Sequence, residues 1–400
     1  MTEATTQPQA SSASPEWGTA PARTYGEIVR SQFMQNRSAV FGLGLVILFF
    51  IIAIVVPFVA NGKPYYLNRN GEVSFPLFRS LTRQDYTILS AAICFVALLL
   101  TRKWIGRSWK RLAVVAWVGV FVASIGVIQF TVENVLDRTN YRSLVEQGKA
   151  TALFPPIRFS PEETDLSVRR ESPLKVPRHY LGTDDLGRDV CSRLLWSTRV
   201  SLAVGFVAQG FAVTIGVILG AIAGYAGRRI DFAIMRLVEV MMCFPSFFLI
   251  LTIIAFFGRE LWLIMMVIGL VGWTENARFI RAEFLKLRTM EYAMAARALG
   301  LGGSRIAFRH LLPNGIAPVL VNASFGIAGA ILVEGGLSFL GFGVAPPTAT
   351  WGTMLNDGRL NPSAMPWMIA LPGFAIFLAV TAYNLVGEGL RDALDPKLKG

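Results

Sequence analysis

Residues that commonly carry metal or redox chemistry are scarce in this sequence. There are three cysteines, Cys94, Cys191 and Cys243, far apart and without a CxxC pair, and two histidines, His179 and His310. That disfavours both a disulfide framework and a His/Cys zinc site. No GxxxxGK[ST], HExxH or GxSxG motif occurs, so the chain has no P-loop to cradle ATP phosphates and no signature of a zinc protease or serine hydrolase. The adjacent carboxylates Asp184 and Asp185 suit a cap on the turn before Leu186 better than acid–base work. Charge is also thin, at 16% of residues, where a soluble globular domain carries about 25%.

What the chain has instead is apolar length. It is 53% hydrophobic, its mean hydropathy is +0.50, and several runs approach the ~20 residues that cross a bilayer as a helix. Strand alternation is absent, which argues against a barrel. The reading is an all-α polytopic membrane protein. The net charge of +12 fits cytoplasmic loops that collect Lys and Arg better than it fits a nucleic-acid partner.

Along the chain, residues 1–22 are rich in Ser, Thr, Ala and Pro and read as a disordered tail. No signal peptide precedes the first span. Residues 23–37 read as an amphipathic interfacial helix, with Thr24 and Glu27 as a capping box and Tyr25, Ile28, Val29, Phe33 and Met34 on one face. The first span is 38–59. A segment 60–178 follows, holding an inserted hairpin of apolar runs at 87–101 and 112–130. The core, 179–400, contributes spans at 200–224, 232–257, 261–280, 314–338 and 366–388, which makes eight candidates.

Short loops set the orientation. TRKWIGRSWKR, between the two inserted runs, holds five Lys or Arg, and 281–309 holds six; 258–260 and 338–365 hold one each. Positive-inside then places both termini in the cytoplasm and 60–178 in the periplasm. The run 87–101 reaches only about 22 Å as a helix. Parity rescues it: were 112–130 to cross alone, every later loop would change sides.

Gly216, Gly220 and Gly224 recur at every fourth position and predict a flat packing seam; Gly326, Gly329, Gly335 and Gly336 are expected to act alike. Pro245 is expected to kink its span. Glu239 and Glu334 fall within spans, where they read either as paired groups or as members of a proton relay.

The segment EYAMAARALGLGGSRIAFRHLLPN, 291–314, breaks this apolar pattern. Thr289 is placed to cap a helix from 290 to 299, Gly300 to end it in the left-handed conformation, and Ser304 to cap a second short helix that Pro313 and Asn314 close. Ala293, Ala295, Ala296 and Ala298 keep the first helix slim, with the Ala-Ala step facing out. Leu299, Leu301 and Ile306 give an apolar side, and Arg288, Arg297, Arg305 and Arg309 a basic rim. Such a hairpin suits a groove on another protein, the competing reading being a loop folded back on its own bundle.

This segment resembles the EAA loop of ABC-transporter inner-membrane permease subunits, through Ala295, Ala296, Gly300, Leu312 and Pro313. Met294 stands where the family has an acid, and His310 where it has an isoleucine. HYLGTDDLGRDVCSRLLWSTRVSL from His179, GRRIDFAIMRLVEVMMCFP, EGGLSFLGFGVAPPTATWGTML, the closing GEGLRDALDP and the entry QFMQNRSAVFGL are similar to the oligopeptide and dipeptide branch (Opp/Dpp C-type). NGKPYYLNRNGEVSFPLF and FPPIRFSP resemble the Yej-type permease, linked to peptides and microcin C.

The resemblance implies a six-helix importer core with two extra N-terminal transmembrane helices. It implies a permease subunit of an ATP-driven peptide importer in the bacterial inner membrane, forming half of the translocation path and catalysing nothing. Its implied partners are a second homologous permease, two ATP-binding subunits or a fused ATPase, a periplasmic or lipid-anchored peptide-binding protein, and the bilayer. No cofactor belongs to this chain, since ATP and Mg sit on the partner ATPase. The ATPase-coupling residues it implies are Glu291, Ala295, Ala296, Arg297, Gly300, Arg305, His310 and Pro313. The candidates for the path are Glu239, Pro245, Glu334 and Trp351, the last in an outer mouth formed by 338–356. The alternatives are a permease for nickel or an opine, a secondary carrier or channel that works without an ATPase, and a membrane enzyme.

Overall fold

In the computed structural model, residues 25–104, 110–132, 137 and 139–394 are described. The expectations for residues 1–22, for Thr24 as a capping residue and for the turn at 105–109 lie outside them.

The helices, in chain order, are α1 (Tyr25–Gln35), α2 (Arg37–Val59), α3 (Pro76–Arg79), α4 (Arg83–Trp104), α5 (Lys110–Thr131), α6 (Tyr141–Glu146), α7 (Val190–Ala226), α8 (Arg228–Cys243), α9 (Ser246–Phe257), α10 (Leu261–Leu287), α11 (Glu291–Ala298), α12 (Gly303–Arg305), α13 (Leu312–Gly315), α14 (Ala317–Phe339), α15 (Trp351–Arg359) and α16 (Trp367–Leu394). Seven of them, α2, α4, α5, α7, α10, α14 and α16, are long and apolar enough to cross a membrane, and the bent pair α8–α9 makes an eighth. Three short strands, β1 (Tyr66–Arg69), β2 (Glu72–Ser74) and β3 (Thr151–Leu153), form an antiparallel sheet in the order β2-β1-β3. Its hairpin turns at Asn70 and Gly71, both with positive φ, as a tight two-residue connection requires.

The core is organised by close helix contacts. α7 and α10 run side by side in the same direction along the glycine seam expected from the sequence. A Cβ at Gly216, Gly220 or Gly224 would lie 2.5 Å from Asn276 Cβ, Ala277 O or Phe284 Cβ respectively, and one on Gly269 would lie 2.6 Å from Ala208 O. Only glycine allows helix backbones to approach this closely. α2 and α16 cross in the same manner at Gly42, against Leu385, and at Gly389, against Ala39. Asn36 caps α2 by accepting from Ala39 N, and its Nδ2 donates to Asp392 Oδ2 at 3.2 Å, which ties the first long helix to the last. Behind this contact Phe33 and Val29 of α1 pack with Ala39 and Ala393, while Met34 stays exposed.

Several expectations are corrected. Gly326, Gly329, Gly335 and Gly336 form no common seam: Gly326 faces Gln209, Gly329 faces open space, and Gly335 and Gly336 face Ile376 and Phe247. The span expected at 232–257 is not one kinked helix but two, bent by 82° at Phe244–Pro245. Pro245 alone does not explain so large an angle. α8 also carries Arg228, Arg229, Asp231, Arg236 and Glu239, charges that are costly at bilayer depth. Conversely, the short run 87–101 lies within α4, whose 22 residues reach about 33 Å at 1.5 Å each. α4 and α5 form a peripheral hairpin; Trp117 Nε1 donates to Thr101 Oγ1 at 3.2 Å between them, and buried Asp85 pairs with Arg199 of α7.

Candidate functional site

The bundle has two ends. The end of α7 and α10, the start of α14 and the contact of α1 and α2 with the end of α16 share one; the sheet and the loop before α7 lie at the other. At the first end α10 stops at Leu287, and the hairpin begins.

Met290, extended at φ −72° and ψ 150°, precedes α11. Thr289 does not cap this helix, because its hydroxyl donates back to Lys286 O at 2.7 Å. Beyond its C-cap Leu299, α11 is stopped by Gly300, with φ +74°. Leu301 N donates to Ala296 O at 3.2 Å and Gly300 N to Arg297 O at 3.0 Å, the paired bonds of a Schellman stop. Gly302, not Ser304, then occupies the N-cap of α12, which continues through a π-helical turn, Ile306–Leu311, into α13. Pro313 therefore lies at the start of α13 and does not terminate the hairpin, and Ile316 alone separates α13 from α14.

The hairpin has two unlike faces. Ala293, Ala296, Ile306, Ala307 and Leu311 are buried against Val217, Ala221, Ile280, Phe284 and Val319. Tyr225 at the end of α7 holds the return limb: a Cβ at Gly303 would lie 2.8 Å from its ring, and the Arg297 guanidinium lies 5.8 Å from the ring centroid. Arg288 donates to Gly224 O at 3.1 Å, satisfying a terminal carbonyl of α7. Glu291, Ala295, Arg297, Gly300 and Arg305 are exposed, His310 is half-buried, and Leu299 keeps 81% of its surface accessible. The Ala-Ala step is thus split, Ala296 inward and Ala295 outward. Of the two readings left open by the sequence, the loop folded back on its own bundle describes one face of the hairpin, while the other face is exposed.

Between the two ends, a cavity of about 480 Å³ opens beside the Phe244–Pro245 break, lined by α7, α10 and α14 as well as by the bent pair. Pro245 lines it. Glu239 lies in an adjoining groove with Glu275 and Arg278, ion-paired to Arg236 at 2.5 Å. Glu334 and Trp351 do not line the cavity. Glu334 is buried and accepts from Ser338 Oγ at 2.6 Å and Thr350 Oγ1 at 2.7 Å. Trp351 is 1% exposed; its ring lies 5.6 Å from that of Phe49, and its Nε1 donates to Leu194 O at 3.4 Å. Its expected place in an open mouth is corrected, because α2 closes over it.

The HYLGTDDLGRDV segment builds a rigid collar at the opposite end. Asp184 Oδ1 accepts from Leu186 N and Arg188 N, both at 2.9 Å, the turn cap expected for it. Asp189 caps α7 by accepting from Ser192 N at 2.7 Å, and its Oδ1 lies 2.8 Å from His179 Nδ1. Sequence reasoning missed the link across to α15: Arg188 and Arg193 both reach Asp357 Oδ2, at 3.2 and 3.1 Å. Burial pushes the Asp357 carboxyl up to about 6, opposed by the neighbouring Arg188.

The fold is thus a bundle of candidate membrane spans with a two-faced helical hairpin at one end and a collar at the other. The family follows from sequence comparison. Residues 216–400 match the model of the binding-protein-dependent transport system inner membrane component, and residues 24–79 match the N-terminal TM domain of oligopeptide transport permease C. The dipeptide transport system permease protein DppC of Alkalihalophilus pseudofirmus is 43% identical over 250 residues, 62% of this chain and 82% of that protein. The oligopeptide transport system permease protein OppC of Haemophilus influenzae is 38% identical over 239 residues, 60% of this chain and 77% of that protein. Among solved structures, the inward-facing MetNI methionine ABC transporter gives a TM-score of 0.39 at 18% identity, covering 50% of this chain and 96% of that one. The chain belongs to the binding-protein-dependent ABC importer permeases, in their dipeptide and oligopeptide C-type branch.

Proposed function

We propose that this chain carries peptides across the bacterial inner membrane as one half of a two-permease path, driven by a separate ATPase. The observation that carries this reading is the two-faced hairpin. Its inner face is continuous with the ends of α7 and α10, so force on its outer face reaches the glycine seam directly. Its outer face offers Leu299, Met294 and Tyr292 within a rim of Arg297 and Arg305, an apolar knob with a charged border of the kind that fills a groove on a partner.

Glu291, Ala295, Ala296, Arg297, Gly300, Arg305, His310 and Pro313 belong to this coupling element, with Ala296 acting from the bundle side. The hairpin end lies in the cytoplasm together with both termini, as the Lys and Arg distribution favours. The sheet and the collar face the binding protein outside. ATP and Mg stay on the partner subunit. The cavity beside Pro245, with Glu239 in its adjoining groove, forms part of the path, and Glu334 and Trp351 brace it. A nucleotide-driven change at the hairpin shifts the bundle between two states only through their differential affinity for the partner. Purified with its natural partners in proteoliposomes, the assembly should accumulate tri-alanine only when ATP and the binding protein are both supplied. Accumulation down a gradient without ATP would instead establish a carrier or channel.

A further inference from the structure

The central cavity holds chemistry that the coupling hairpin does not use. Side-chain amides from three helices meet there: Gln209 of α7, Asn276 of α10 and Asn322 of α14. Asn322 Nδ2 donates to Asn276 Oδ1 at 3.1 Å. Gln209 is only 8% exposed, and its Nε2 has no hydrogen-bond partner among the described residues. The space around it is cleared by glycine: a Cβ at Gly326 would lie 2.3 Å from the Gln209 amide carbon, and one at Gly329 would meet nothing within 4 Å. Gly326 and Gly329 present only backbone to the cavity, between Asn322 and Val333 of the same helix.

Amides between membrane helices often serve only as interhelical hydrogen bonds. That accounts for the Asn276–Asn322 pair. It does not account for Gln209, whose donor is buried at the cavity and left over, since buried donors are nearly always satisfied. The rim is of another character. Met241, Met242 and Phe244 line it, and methionine adapts to differently shaped neighbours.

We propose that Gln209, Asn276 and Asn322 form a subsite for the backbone of a peptide in transit, with Gln209 Nε2 donating to a peptide carbonyl. A primary amide offers a donor and an acceptor together, which matches the peptide group and ignores side-chain identity. The adaptable rim then accommodates varied side chains. This inference rests on the peptide-permease reading above and assigns it a place and a chemistry.

The test uses the whole assembly in proteoliposomes with two probes, tri-alanine and its depsipeptide analogue in which an ester replaces the central amide. The ester lacks the N–H and is a weaker acceptor. The uptake ratio of the two is measured for the unaltered chain, for Gln209→Met and for Asn322→Leu, always with the same binding protein, so that its own preference cancels. Gln209→Met should lower the ratio roughly five- to tenfold, the size expected for a lost hydrogen bond, with ATP hydrolysis retained. If Gln209→Met does not assemble, Asn322→Leu carries the same readout. An unchanged ratio in whichever variants assemble overturns the subsite while leaving the peptide-permease reading intact. Failure of the unaltered assembly to take up either probe overturns both.

Discussion

Gly224 of α7 lies so close to Phe284 of α10 that a Cβ on the glycine would fall 2.5 Å from the phenylalanine Cβ. The contact joins two parallel helices just where the hairpin leaves α10, and Phe284 belongs to the same buried cluster as Ala293 and Ile306 of the hairpin. Helix seam and hairpin therefore share one packed cluster. A displacement of either is felt by the other, because close-packed interiors transmit strain.

Gly220→Val tests the seam. A Cβ there meets Ala277 O at 2.5 Å, backbone that cannot swing aside. Overpacking of this kind costs about 1–3 kcal/mol, so the thermal midpoint of the detergent-solubilised protein should fall. Gly210→Val on the same helix, where a Cβ meets nothing within 4 Å, should leave it unchanged.

Gly300 tests the stop of α11. Its φ of +74° disfavours side chains although the surrounding space is open, so conformation and not volume decides the outcome. Gly300→Val should strain the turn, with the left-handed region costing an L-residue about 1–2 kcal/mol. The chain should still insert, while ATP hydrolysis in the assembly loses its link to uptake. Gly300→Asn, which tolerates that region, should keep most of the coupling.

How much of this was legible in the sequence depends on the range of the interaction. Gly216, Gly220 and Gly224 announce a seam because helical periodicity alone places them on one stripe, and Gly300 announces a stop because few residues take its conformation. Pro245 marked the break in the bent pair but not its size, which depends on where the charged face of α8 comes to rest. An open mouth around Trp351 is what the family resemblance implies; Phe49, from the first long helix, covers it. Gln209 and Gly326, or Arg193 and Asp357, carry no local signal, since each pair is brought together only by the packing of helices distant in sequence.

Asp357 in the collar should titrate. Burial raises the Asp357 carboxyl to about 6, with Arg188, Arg193, Asp184 and Asp185 around it. A folded-state value raised above the ordinary carboxylate value means that the folded protein holds this proton more tightly than the unfolded one. Its contribution to stability therefore falls as pH rises from about 4 to about 6. Asp357→Asn should flatten that part of the stability–pH profile, measured as thermal midpoint against pH. A profile of unchanged slope would remove Asp357 as its source.

The peripheral hairpin should depend on one buried pair. Asp85 is 3% exposed and meets Arg199, so Asp85→Ala leaves a buried guanidinium without its charge partner and should destabilise by about 3–5 kcal/mol. The double variant Asp85→Asn with Arg199→Gln should be less damaged than Asp85→Ala. Limited proteolysis of the α4–α5 segment is the local readout.

The most direct measurement of the coupling claim is site-specific photo-crosslinking within the assembled importer, with the probe placed in turn at Leu299 and at Ala296. A docked outer face predicts an adduct with the ATPase subunit from position 299 and none from position 296, whose side chain faces the bundle. No ATPase adduct from position 299 in an assembly that still transports would contradict it.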